Sequence, residues 1–257
     1  MKSIKKVIIL ILLISLILIF FNNDIITFFS KLYKSFNRTL IIEKRYILFC
    51  KGLNSTLLIS FSSIFFGSLI GILLFLCQKK NNILIKNISY FFIRFIQGTP
   101  ITVLLLVFYF GIFGKININP IVVSILAFSI YFSAYVVEIL KGAYSSINRI
   151  QIDSAYALGF TKMQTIRYII IPQILCYVIP VYKNESVSLI KSTSIAGYIS
   201  IIDLTKASDI IRNRTYEPFF PLVFTAFIYF TICYLFSKTL DFIYKKINPR
   251  MEKKYGK

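Results

Sequence analysis

The stretch KGAYSSINRIQIDSAYALGFTKMQTIRYIIIP, residues 141–172, decides how the rest of the chain is read. It is a polar island between two long apolar runs, one ending near Leu140 and one starting near Pro172. Asn148 followed three residues later by Gln151, and Thr161 followed by Gln164, both have the form of a capping box that starts a helix. Gly159 falls where the first helix should stop, and glycine accepts the left-handed backbone of that position. The spacing therefore predicts a first helix of about ten residues, a tight glycine turn and a second, amphipathic helix, with Pro172 opening the element after it. The first helix offers Ala155, Ala157 and Leu158 with little bulk. It suits a groove in a partner protein and the surface of a lipid bilayer equally well.

Working outward, apolar blocks recur on both sides. Residues 53–77, about 100–113, 120–140, 172–202 and 219–243 each approach the roughly 20 residues that a ~30 Å hydrocarbon core requires. A shorter block, residues 7–21, follows Lys2, Lys5 and Lys6. It lacks a small-residue cleavage site and is expected to remain as an N-terminal helix or signal anchor. Gly98-Thr99-Pro100 interrupts the third block, because Pro100 removes a backbone donor and disfavours helix at Thr99. A surface helix carrying Arg94 is expected before the break and a span after it. Gly67 and Gly71 form a G-x-x-x-G pair that permits close helix approach. The expected organisation is a helix at 1–21, a polar linker at 22–50 on the outside, a membrane domain at 51–246 and a basic tail at 247–257.

Composition agrees with a polytopic, all-α membrane protein. The 257 residues are 57% apolar and 16% charged, against about 45–50% and about 25% for a soluble domain. There is no His, which excludes a His triad, a His metal site or a His proton relay. The four Cys, at 50, 77, 176 and 233, have no C-x-x-C spacing and read as small apolar packing residues rather than a metal site. The net charge of +20 lies mainly between the apolar blocks. It points to the cytoplasmic membrane face and anionic lipid, with no nucleic-acid partner. With both termini placed inside, 16 Lys and Arg fall on the cytoplasmic side and 10 outside, in keeping with the positive-inside rule.

The pattern Asp153-Ser154-Ala155, three residues, Gly159, nine residues, Ile169-x-Ile171-Pro172 resembles the EAA motif of ABC importer permeases, with matching spacing. Three further segments resemble those of the polar amino-acid type: Gly98-Thr99-Pro100, then Ser133-Ala134-Tyr135 with Glu138, then Pro180 through Asn184-Glu185 to Lys191-Ser192-Thr193-Ser194. The resemblance covers about residues 51–246. It departs at Arg94, Ile150, Lys183 and Ser192, where other residues are common in the family.

The resemblance implies a type I importer transmembrane fold of five core helices, here with one extra N-terminal helix and a cytoplasmic coupling helix. It implies a non-enzymatic translocation subunit in the bacterial plasma (inner) membrane. The partners implied are a cytoplasmic ATPase dimer, an extracellular or periplasmic solute-binding protein and a second permease subunit, identical or related. Polar or charged amino acids are the implied cargo. The sequence has no G-x-x-x-x-G-K-[ST] phosphate loop, so ATP and Mg are expected on the partner and no cofactor or metal in this chain. Asp153, Ser154, Ala155, Ala157, Leu158 and Gly159 are the expected ATPase-coupling residues. Thr56, Ser60, Asn184, Glu185 and Ser188 are candidates for the substrate path. Ionisable groups in a span face a cavity or a partner, and Asn184 and Ser188 share one helix face, as do Thr56 and Ser60. Gly98, Thr99, Pro100, Glu138, Pro172, Lys191, Thr193 and Ser194 are expected to be structural, Glu138 through a salt bridge with a nearby cation. The alternative is a passive channel or membrane scaffold with a cytoplasmic adaptor helix, which would work without ATP.

Overall fold

The computed structural model describes residues 22–79 and 83–247, and every regular element among them is helical. The expected first helix, residues 1–21, lies outside the described residues. The elements are α1 (Asn22–Phe36), α2 (Tyr46–Gln78), α3 (Ile83–Gly98), α4 (Ile101–Leu106), α5 (Pro120–Ser145), α6 (Arg149–Ala157), α7 (Lys162–Thr165), α8 (Ile171–Ser192), α9 (Leu204–Thr215) and α10 (Phe220–Ile247). Among the described residues four helical rods are long and apolar enough to cross a membrane: α2, α5, the continuous stretch Lys162–Ile199, and α10. The bent pair of α3 with Ile101–Ile112 makes a fifth. Backbone donors and acceptors have no water to bond in hydrocarbon, so a chain this apolar folds as helices that close their own hydrogen bonds.

α2 and α5 form the central pair, with the largest shared contact of any two elements. Small residues make that closeness possible. A Cβ on Gly71 would lie 2.6 Å from the Cβ of Val136, and one on Gly67 2.8 Å from the Ser129 carbonyl oxygen. The G-x-x-x-G pair is therefore the seam against α5. Ile59, Phe128, Phe132, Leu189 and Ile190 fill the core beside it, where α8 joins the pair. A second cluster, built by Phe49, Leu204 and Ile211 with Phe224 of α10 packed on it, closes the end of the bundle away from α6.

The boundaries differ in detail from the sequence expectation. The connection at 22–50 holds a helix, α1, whose Phe36 ring meets Phe220 of α10 edge-on at 6.1 Å. α2 starts at Tyr46 rather than Leu53, because Lys51 is exposed and its charge never has to enter the packed face. Pro172 lies in the first turn of α8, as expected, but no loop precedes it. The helix begun at Lys162 runs through a wide π-helical turn, Ile166–Ile170, directly into α8. Proline clashes with the carbonyl four residues before it, and the wider turn accommodates that clash. Beyond Ser192 the helix tightens to a 3₁₀ run, Thr193–Ile199, and ends at Ser200 with φ +65°.

The break at Gly98-Thr99-Pro100 falls where expected. α3 and the following helix meet at 106°. Pro100 has the extended ψ of 134° that starts a helix, and the Thr99 hydroxyl donates back to the Phe95 carbonyl at 2.8 Å. Helix packing at the α2–α5 seam should be intolerant of added bulk. Gly67→Val and Gly71→Val are each expected to cost about 1–3 kcal/mol, read as a lower melting midpoint and a smaller monodisperse peak in detergent. Gly111→Ala, whose nearest neighbouring atom would lie at 3.8 Å, should leave both unchanged.

Candidate coupling turn and translocation face

The α6–α7 turn is built by its own sequence. The Asn148 side chain accepts the Ile150 N–H at 3.0 Å to start α6. At the other end the Gly159 N–H bonds the Tyr156 carbonyl and the Phe160 N–H bonds the Ala155 carbonyl, both at 3.0 Å. Gly159 carries φ +84°, and the pair of bonds is the Schellman arrangement that a left-handed glycine closes. Thr161 and Gln164 then form the expected reciprocal box, with bonds of 3.3 and 2.8 Å. The Gln173 amide reaches Gln151 at 2.7 Å and ties α6 to the start of α8.

What the turn presents differs from expectation at one residue. Ala155 is 2% exposed. It faces inward, because α6 lies against the rod that begins at Lys162, and a small residue there sets the distance between them. Leu158, at 78% exposed, protrudes, and Asp153, Ser154, Ala157 and Gly159 are exposed around it. Three apolar residues that the motif did not single out stand out as well: Ile150, Phe160 and Met163, the last 71% exposed. Their signal in the sequence was an unused one, large apolar residues in a polar segment at positions that neither helix needs for packing. Asp153 also borders a cleft of about 450 Å³ with Tyr144 and Arg149.

The path candidates separate into two groups. Thr56 and Ser60 are fully buried, and their hydroxyls are used inside the chain. Thr56 accepts the Leu204 N–H at 3.2 Å, and Ser60 lies 3.3 Å from the Thr193 hydroxyl. They join α2 to the connection after α8 and are not on an open face. Asn184 and Ser188 are exposed, on a face of α8 that also exposes Tyr177, Val181 and Lys191. These five recur at the three- and four-residue spacing of one helix face. Glu185 is half-buried on another side, within electrostatic reach of Tyr131, whose hydroxyl lies 2.9 Å from that of Tyr135.

The remaining charges are mostly accounted for. Glu138 bridges Lys141 at 3.0 Å, as expected. Lys183 is held by Asp241 of α10 at 2.6 Å, so it is no free cation awaiting an acidic solute. Thr193 donates back to the Ile190 carbonyl at 2.7 Å. Lys191 and Ser194 border a cavity of about 560 Å³ with Thr205 and Tyr229. Among the described residues no three His, Cys, Asp or Glu cluster as metal ligands do.

One acid escaped the sequence reading. Asp203 sits in the connection between α8 and α10, outside the spans, and is fully buried. Its Oδ1 accepts the Lys206 N–H at 2.7 Å and caps α9, whereas its Oδ2 has no partner. A Cβ on Gly52 would lie 2.6 Å from the Asp203 carbonyl oxygen, so the cap is seated in a notch of α2. Burial pushes its carboxyl up from 3.8 to about 6, against the opposing pull of the Lys206 and Asp203 N–H groups.

With this geometry in view, the chain can be compared with known proteins. Residues 63–253 match the family described as the binding-protein-dependent transport system inner membrane component. The chain belongs to this family. It is 34% identical over 213 residues to the "Probable amino-acid ABC transporter permease protein YckA" of Bacillus subtilis, covering 82% of this chain and 93% of that one. It is 32% identical over 195 residues to the histidine/lysine/arginine/ornithine transport system permease protein HisM of Salmonella typhimurium, covering 72% and 83%. Among solved structures, an amino acid ABC transporter crystallised with histidines superposes with a TM-score of 0.73 at 33% identity, over 80% of this chain and 96% of that one. The chain is thus a multi-pass permease subunit of an ABC importer with the type I transmembrane fold, and a passive channel or scaffold is not favoured.

Asp203 gives a pH dependence with a defined sign. Its folded-state value lies above the ordinary one, so the folded state holds the proton more tightly and stability falls as pH rises from about 4 to about 6, then levels off. Melting midpoints in detergent across that window should show the descent. Asp203→Asn keeps a capping side chain and should flatten it.

Proposed function

We propose that this chain carries polar amino acids inward across the bacterial plasma membrane, driven by ATP that a separate subunit hydrolyses. The observation that carries the coupling half is the protruding α6–α7 turn, an apolar knob of Leu158 and Met163 on a rigid, self-capped frame. An exposed leucine and methionine at the tip of a polar segment fit a groove in a cytoplasmic ATPase dimer, where ATP and Mg bind. Closure of the dimer pushes on the turn, and the helices move as rigid bodies to alternate access. The turn and both termini then face the cytoplasm, in keeping with the excess of Lys and Arg on that side.

The polar face of α8 supports the transport half. Asn184, Ser188 and Lys191 are exposed on one face of a rod apolar enough to span, and polar side chains in a span turn to a path or a partner rather than to lipid. A second permease subunit, identical or related, faces them across the path. At the opposite end a cleft of about 390 Å³, lined by Lys51, Asn54 and Asn119, is open to a solute delivered by an external binding protein. The names of the relatives, which cite histidine, lysine, arginine and ornithine, support a polar or charged amino acid as cargo.

Two measurements test this. Leu158→Asp and Met163→Asp should reach the membrane at normal level but lose the co-purifying ATPase and at least about tenfold of uptake, the equivalent of ~1.4 kcal/mol. Gly159→Asp, which forces a β-carbon into the left-handed region at a cost of ~1–2 kcal/mol, should uncouple in the same way. Normal uptake in all three variants would refute the coupling assignment. Asn184→Leu should lower uptake while leaving ATPase co-purification intact.

A further inference from the structure

We propose that a cavity between the ends of α2, α3 and α5 binds a phosphate-bearing anion, and that its occupant is the headgroup of an anionic phospholipid. The cavity measures about 580 Å³, and Gln78 and Lys79 of α2, Lys86 and Tyr90 of α3, and Lys141 and Tyr144 of α5 line it. Tyr144 also borders the cleft beside Asp153, so the cavity lies at the same end of the bundle as the α6–α7 turn.

Three features identify the ligand chemistry. First, the lining holds three ammonium groups and no carboxylate. Glu138 offsets Lys141 from outside, whereas Lys79 and Lys86 meet no carboxylate among the described residues. Secondly, aromatic rings hold the cations at the wall. The Lys79 ammonium lies 2.9 Å from the Tyr144 ring centre and 5.0 Å from that of Phe75, and Lys141 lies 5.4 Å from that of Tyr90. Such rings shield one side of an ammonium while its remaining donors stay available. Thirdly, Gln78 and Asn87 add neutral amides to the same lining, so the wall offers side-chain donors beside the ammonium groups and no acid.

Location and size select the lipid over a free phosphate. A volume of this order suits a ligand larger than a single small anion. The cavity opens where the apolar rods α2 and α5 end, and the same neighbouring helices expose Leu76, Ile88 and Phe91. A glycerophosphate headgroup would sit among the lysines with its acyl chains on that apolar surface. Basic pockets between spans on the cytoplasmic side bind such headgroups.

The test uses the full-length chain, purified with its co-expressed partner subunits from mixed phosphatidylglycerol and phosphatidylcholine, with retained lipids weighed by native mass spectrometry. Phosphatidylglycerol should be enriched, and Lys79→Gln with Lys86→Gln should reduce the enrichment about tenfold or more. Lys245→Gln with Lys246→Gln, also basic but at the end of α10, should leave it intact. If the first double variant folds poorly, a salt titration of the unaltered protein replaces it: raising ionic strength from about 0.05 to about 0.5 M should erode the enrichment. Absence of enrichment, insensitivity to both the lysine substitutions and salt, or equal loss in the α10 variant would overturn the proposal. Displacement of the lipid by millimolar inorganic phosphate would assign the cavity to a soluble anion and sink the lipid occupant. None of these outcomes depends on which solute is carried.

Discussion

The structure depends on the approach of α2 to α5, set by the missing side chains of Gly67 and Gly71. In hydrocarbon there is little hydrophobic force between helices, so association rests on van der Waals contact and a few hydrogen bonds. Contact of that kind falls off within an ångström of separation. The two glycines let the backbone of α2 meet Ser129, Ser133 and Val136 directly. α8 then packs on the pair they create, and α9 seats its N-terminus in the notch that Gly52 leaves in the same helix. Three glycines on one helix, at 52, 67 and 71, thus organise both the middle of the bundle and the end away from α6.

Regular helix is abandoned at a few places, each with a visible cause. Gly98-Thr99-Pro100 turns the chain by 106°, so one apolar block becomes a bent pair of helices rather than one straight span. The wide turn at Ile166–Ile170 precedes Pro172, and the tight turn Thr193–Ile199 follows the last polar residues of α8.

Much of this was legible in the sequence. Hydropathy located the described spans, the capping boxes and Gly159 located the α6–α7 turn, and Gly98-Thr99-Pro100 located the bend. The residues that misled did so for a common reason: motif and spacing say where a side chain sits along the chain, and only packing says which way it faces. Ala155 belongs to the motif but points inward, while Met163 and Phe160 point out. Thr56 and Ser60 share a face with each other, yet that face is the one pressed against the connection after α8. Asp203 was invisible because nothing local marks a carboxyl whose burial comes from Gly52, some 150 positions earlier in the chain. Residues 1–21 lie outside what the structure describes.

The continuity of the helix across Pro172 has a mechanical meaning. From Lys162 to Ile199 the chain is one helical rod of 38 residues, which at the usual rise spans about 57 Å. One end of that rod is the α6–α7 turn, and the other holds Thr193 against Ser60 and the seat of α9. A loop between turn and span would absorb a push. A rod would transmit it as a lever, with softer joints at Ile166–Ile170 and at Pro180, so that a displacement applied at one membrane surface would arrive as torque at the other.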